Sequence, residues 1–131
     1  MVGNFATIYT DAETKKYEKA LKEAGIAAMA GRPHLDEAVS VIIHAHMPIP
    51  ASFSQKKRAA ALAGDIMPET KPDFDNITKM IDGLNYHPPE FKGDKRKRPI
   101  IWRDDSQIVA CQFLKKYSEH PRLEIVVYRW G

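Results

Sequence analysis

KPDFDNITKMIDGLN, residues 71–85, decides how the rest of the chain is read. Pro72 biases Lys71 toward extended geometry and removes a backbone donor. Asp73 and Asp75 stand at i and i+2, a spacing that puts both carboxylates on one face of an extended backbone. The pattern then changes, because Ile77, Met80, Ile81 and Leu84 recur at helical spacing. Asp75 or Asn76 can cap that helix by accepting from its first free N–H groups. Lys79 follows Asp75 by one helical turn. Two carboxylates are therefore expected to face one way where an extended segment enters a helix. A second acidic pair, Asp104-Asp105, lies further on, inside IIWRDDSQIV.

Metal-dependent phosphoryl chemistry uses such a set. Mg²⁺ prefers hard oxygen ligands and keeps waters that a substrate phosphate can replace. Two such ions roughly 3.5–4 Å apart activate water and stabilise the leaving oxygen of a phosphodiester. A nearby lysine neutralises charge on the phosphoryl oxygens. On their own, Asp73 and Asp75 also fit a surface turn with a helix cap. Lys79 also fits a salt bridge to Asp75 or Asp82, which on an exposed helix is worth about 0.3–0.5 kcal/mol.

The two motifs in this order, PDFDN with Lys79 and DGLN behind it, then WRDDSQI, resemble the RusA family of Holliday junction resolvases in its phage-type form. These are crossover junction endodeoxyribonucleases, and the resemblance covers residues 38–128. It implies Mg²⁺, with Mn²⁺ as a substitute, held by Asp73, Asp75 and Asp105, with Asp104 assisting and Lys79 catalytic. It also implies a homodimer acting on four-way or branched DNA in recombination and repair. Three features depart from the family pattern. Two residues separate Lys79 from Asp82, one fewer than usual. Pro72 stands where some members carry a DNA-contacting arginine, leaving Lys71 as its substitute. The proline-rich strand before the first helix has only Met1 to Tyr9 in its place, so that element is expected to be missing or truncated.

The 131 residues suit one domain, and 44% hydrophobic with 28% charged residues is a soluble globular composition. Twenty Lys and Arg against 17 acidic residues give only +3. The distribution of charge says more than the sum. One cysteine, Cys111, excludes an internal disulfide and fits a reducing compartment. No apolar run approaches the ~18 residues of a membrane span, and the N-terminus lacks the apolar core of a signal peptide. The expected location is cytoplasmic, for want of any other address.

Thr10-Asp11-Ala12-Glu13 has capping-box spacing. Tyr17, Ala20, Leu21 and Ala24 then form the apolar stripe of a helix from 11 to about 24–30, with Gly25 as a stop. Residues 38–47 alternate as a half-buried strand, with His44 and His46 on its polar face. Those two could begin a metal site, but no third ligand lies nearby in sequence. Ser54 caps a short helix over 55–63 whose first turn, Lys56-Lys57-Arg58, opposes the helix dipole and would suit a phosphate. Residues 86–99 read as an insertion in which Lys92, Lys95, Arg96, Lys97 and Arg98 face only Asp94. Charges packed so densely repel and suit the DNA backbone, giving affinity without sequence preference. A solvated loop without a partner is the plain alternative.

Residues 107–117 and 122–129 alternate as two further strands, read as an antiparallel hairpin across a four-residue turn. Cys111 shares a face with Val109, Phe113 and Tyr117, which predicts a core thiol and not a nucleophile. The expected fold is α+β: one domain over 1–131, an antiparallel-rich mixed sheet with helices packed on one side. The expected function is a Mg²⁺-dependent endodeoxyribonuclease. Lys56, Lys57, Arg58, Lys71, Lys95, Arg96, Lys97 and Arg98 are expected on the DNA. The alternatives are a branched-DNA-binding module that does not cut, and a hydrolase of small phosphate esters.

Overall fold

The computed structural model of the chain describes residues 2–11, 17–69, 75, 79 and 84–130. Four strands form one mixed sheet: β1 (Val2–Asp11), β2 (Val39–Pro48), β3 (Ile108–Ser118) and β4 (Arg122–Arg129), in the spatial order β1-β4-β2-β3. β4 runs antiparallel to both β1 and β2, and β2 and β3 are parallel. The fold is α+β, and the sheet is mixed as the sequence suggested. Val39, Val41, Ile43 and Ala45 on β2, with Leu123, Ile125 and Val127 on β4, turn one face inward and are almost sealed from solvent. Leu21 and Met29 of α1 (Tyr17–Met29) cover that face together with Leu84, Ile100, Ile101 and Trp102. No helix among the described residues is long and apolar enough to cross a membrane.

The parallel pairing sets the architecture. Two parallel strands need a long crossover between them, so the chain between β2 and β3 must leave one end of the sheet and return to the other. That crossover contains both acidic motifs. The register pairs Val39 with Ile108, so Asp104 and Asp105 arrive beside the start of β2.

Several expectations fail here. β3 and β4 are not a hairpin, because β2 lies between them. Glu119, His120 and Pro121 carry the chain past the end of β2. Two strand spacings are about 10 Å, within reach of a three-residue connection. The proline pair Pro48 and Pro50, which lacks backbone donors, ends β2 at the point of crossing. Ser118 Oγ accepts from the His120 N–H at 3.0 Å, and Arg122 Nη1 donates to the His120 carbonyl at 3.0 Å.

The N-terminal strand is not missing. β1 has ten residues and pairs along β4 from Val2↔Arg129 to Asp11↔Arg122. Asp11 therefore belongs to a strand and does not open the helix. Thr10 pairs with Leu123 in the same strand, Ala12 and Glu13 lie outside the described residues, and α1 is described from Tyr17. Gly25 is not a helix stop either. It sits inside α1, where an added Cβ would meet Leu84 Cδ1 at 2.9 Å. Its lack of a side chain lets the helix settle onto Leu84.

Cys111 is exposed and not in the core. Cys111 is in register with the core residue Val41, but β3 is an edge strand, which leaves the thiol open to solvent. Partial burial pushes the thiol's pKa up, which keeps it protonated and argues further against a nucleophile.

Candidate active site

Lys71 and Asp73 lie outside the described residues, as does Asp82. Asp75, Lys79 and Leu84 have helical backbone. The helix thus already includes Asp75, which neither caps it nor extends a strand. Lys79 Nζ is 3.2 Å from Asp75 Oδ2. Both side chains are largely exposed, so this i,i+4 pair adds little stability. It does hold a cation and a carboxylate side by side.

Asn85 ties this helix to the second motif. It is completely buried. Its Nδ2 donates to the Trp102 carbonyl at 2.6 Å, and its Oδ1 accepts from the N–H groups of Ile101 at 2.8 Å and Trp102 at 3.0 Å. Its own carbonyl accepts from the Ile100 N–H at 2.6 Å. A buried amide with three side-chain hydrogen bonds to one short segment is a specific clasp. The sequence places Asn85 in a motif, but only the structure reveals what it holds.

Beyond the clasp, the fully buried Trp102 donates its indole N–H to Asp105 Oδ1 at 2.9 Å. Asp104 caps the short 3₁₀ turn Asp105–Gln107, accepting from the Ser106 N–H at 3.0 Å. Hydrogen bonds from Ser106 hold the Asp104 carboxyl below its ordinary pKa. Gln107 completes a capping box, its Oε1 accepting from the Asp104 N–H at 2.7 Å. Its Nε2 donates to the carbonyls of Leu35 and Glu37. Gln107 therefore closes the turn and locks it to the loop before β2, and β3 begins at Ile108. The described carboxylates of the two motifs are engaged locally: Asp75 with Lys79, Asp104 with Ser106, Asp105 with Trp102. These three do not form a group whose oxygens all lie within 4.8 Å of one another.

The predicted DNA-contacting cations fall into two sets. Ser54 caps α2 (Gln55–Ala63) through the Lys57 N–H. Lys57 Nζ lies 4.3 Å above the Phe53 ring, Arg58 pairs with Glu119 at 3.7 Å, and Lys56 is exposed. In the 86–99 loop, Lys95 and Lys97 are exposed, with Lys97 Nζ 5.3 Å from the Tyr86 ring centroid. Arg96 and Arg98 instead hold the loop together. Arg96 pairs with Asp94 at 2.9 Å and Glu90 at 3.4 Å, and Arg98 pairs with Glu90 at 2.7 Å. A Tyr86↔Pro99 bridge closes the base. The sequence set only Asp94 against these cations, whereas Glu90 opposes them as well.

Asp94 anchors the loop. Its carboxyl sits well below the usual carboxylate range, chiefly through Arg96, then through the N–H groups of Glu90 and Arg96. A depressed folded pKa adds stability above the unfolded value of about 3.8, and that contribution is lost as pH falls toward the folded value. Asp94→Asn is expected to speed amide exchange across 86–99 at pH 7. The gap to the parent protein should narrow steadily from pH 5 to about pH 2.5. Hydrogen exchange by mass spectrometry measures both, and equal exchange at pH 7 would remove Asp94 as the anchor.

The profile of the family described as Endodeoxyribonuclease RusA matches residues 1–128, so the match takes in β1 as well as both motifs. Among curated proteins, the chain is 37% identical over 92 residues to the uncharacterized protein YqaN of Bacillus subtilis (strain 168), covering 68% of this chain. The chain spans 56% of the length of that relative. With a family match along nearly its whole length, and both motifs joined through Asn85, the chain belongs to the RusA endodeoxyribonuclease family.

Proposed function

We propose that this chain is a Mg²⁺-dependent endonuclease that cuts four-way DNA junctions during recombination and repair. The observation that carries this reading is the Asn85 clasp, which fixes the helix of Asp75 and Lys79 to the segment that presents Asp105. Asp73, Asp75 and Asp105 would hold the ion through hard oxygen donors, with Mn²⁺ as a substitute. When bound, such an ion lowers the pKa of water and polarises the phosphodiester. Lys79 stabilises charge building on the phosphoryl oxygens. Trp102 orients Asp105, and Asp104 with Gln107 keeps the turn in shape. Lys56, Lys57, Arg58, Lys71, Lys95 and Lys97 supply backbone contacts, while Arg96 and Arg98 contribute through the loop they brace. Symmetric cutting needs two matched nicks, which a two-fold homodimer supplies.

A second reading, a junction-binding protein that does not cut, is favoured by the local engagement of Asp75, Asp104 and Asp105. A nicking assay on a synthetic four-way junction separates the two. The nuclease reading predicts paired nicks that need Mg²⁺ or Mn²⁺, with binding that weakens by orders of magnitude from about 50 to 200 mM salt. Salt-sensitive binding without nicks in either metal would favour the second reading.

A further inference from the structure

The sheet face turned away from α1 carries a cluster that the nuclease reading does not use. His44 and His46 lie on that face of β2, and Glu124 of β4 is in register with His44. One donor atom from each of the three lies within 4.8 Å of the other two. His46 Nε2 is 3.6 Å from Glu124 Oε1, close to the ~3.4 Å edge of a tetrahedron with metal–ligand bonds of ~2.1 Å. A second observation points the same way. His46 Nε2 is sealed from solvent and has no hydrogen-bond partner. A buried polar atom left so is uncommon and calls for an explanation.

We propose that His44, His46 and Glu124 form a binding site for a transition-metal dication of the zinc class. Two imidazoles and one carboxylate suit zinc, with a fourth position open to water. Arg122 Nε donates to Glu124 Oε1 at 2.7 Å and fixes the carboxylate from outside, as second partners of metal ligands do. The positive charges of Arg122, and of Lys116 beside His46 in the β2–β3 register, oppose a dication and hold affinity below that of a cysteine-rich site. The site is separate from the carboxylate centre in place and in chemistry. His44 and His46 stand five and seven residues along β2 from Val39, roughly 16–23 Å from the strand end beside Asp105. Mg²⁺ takes oxygen ligands and does not compete for imidazoles. The ion would pin β2 to β4, the two central strands.

The test is Zn²⁺ titration of tag-free protein in excess Mg²⁺, followed by NMR of the imidazole C–H signals. His34, His87 and His120 serve as internal controls. The proposal expects the His44 and His46 signals to shift together and saturate at one equivalent while the other three stay still. It also expects His46→Gln to weaken Co²⁺ binding, read by its visible absorption, by at least about tenfold. Shifts spread over all five histidines, no saturation at one equivalent, or a His46→Gln variant that binds like the parent would overturn it. The wild-type titration decides the matter even if a variant folds poorly.

Discussion

Asp75→Asn is expected to leave four-way junction binding within a few-fold of the parent while cutting Mg²⁺-dependent cleavage by at least about 10²–10³-fold. The substitution keeps the shape of the side chain but removes the formal charge that a hard dication requires. It also releases Lys79, whose ammonium lies 3.2 Å from the Asp75 carboxylate. Because that pair is exposed, its loss costs little stability, so a fall in cleavage cannot be blamed on unfolding. The cations proposed for DNA contact, Lys56, Lys95 and Lys97 among them, are untouched. A gel-based cleavage assay run beside a binding titration separates the two effects. Cleavage within tenfold of the parent would remove Asp75 from the centre.

Asn85→Ala is expected to cost about 3–5 kcal/mol in urea denaturation. The change strands the Ile101 and Trp102 N–H groups and the Trp102 carbonyl in a sealed interior, and each buried orphan costs about 1–3 kcal/mol. Partial relaxation keeps the total below the simple sum. Against a typical domain stability of 5–15 kcal/mol this is a large share. The variant should also cleave poorly under conditions where it remains folded, because Trp102 and Asp105 would no longer be fixed to the Lys79 helix. A loss below 1 kcal/mol would mean that the clasp holds little.

Much of this was legible in the residues. Alternation in β2 and β4 identified both strands and their inner faces, since a two-residue period with one buried side leaves little choice. Strand order was not legible. A short connection from Ser118 to Arg122 serves a hairpin or a crossing past β2 equally well, and only the pairing partners distinguish them. Gly25 read as a stop because glycine often ends helices, whereas here it makes room for Leu84, a contact no local pattern encodes. The third partner of His44 and His46 was hidden for a similar reason. Glu124 is far away in sequence and next to them only through β2–β4 register. The acidic motifs stood out in the sequence as candidates, but the means of joining them did not. Asn85 and Gln107 look like ordinary polar residues until their buried partners are seen.

Asp75 and Asp105, from separate parts of the chain, are proposed to serve one divalent ion. Substoichiometric Mn²⁺ added to ¹⁵N-labelled protein tests this most directly, because the ion broadens nearby amide signals. The amides of Asp75 and Asp105 are expected to broaden together, at the same Mn²⁺ concentration, and to recover together when Mg²⁺ is added in excess. Broadening at one of them while the other stays sharp would contradict a shared ion.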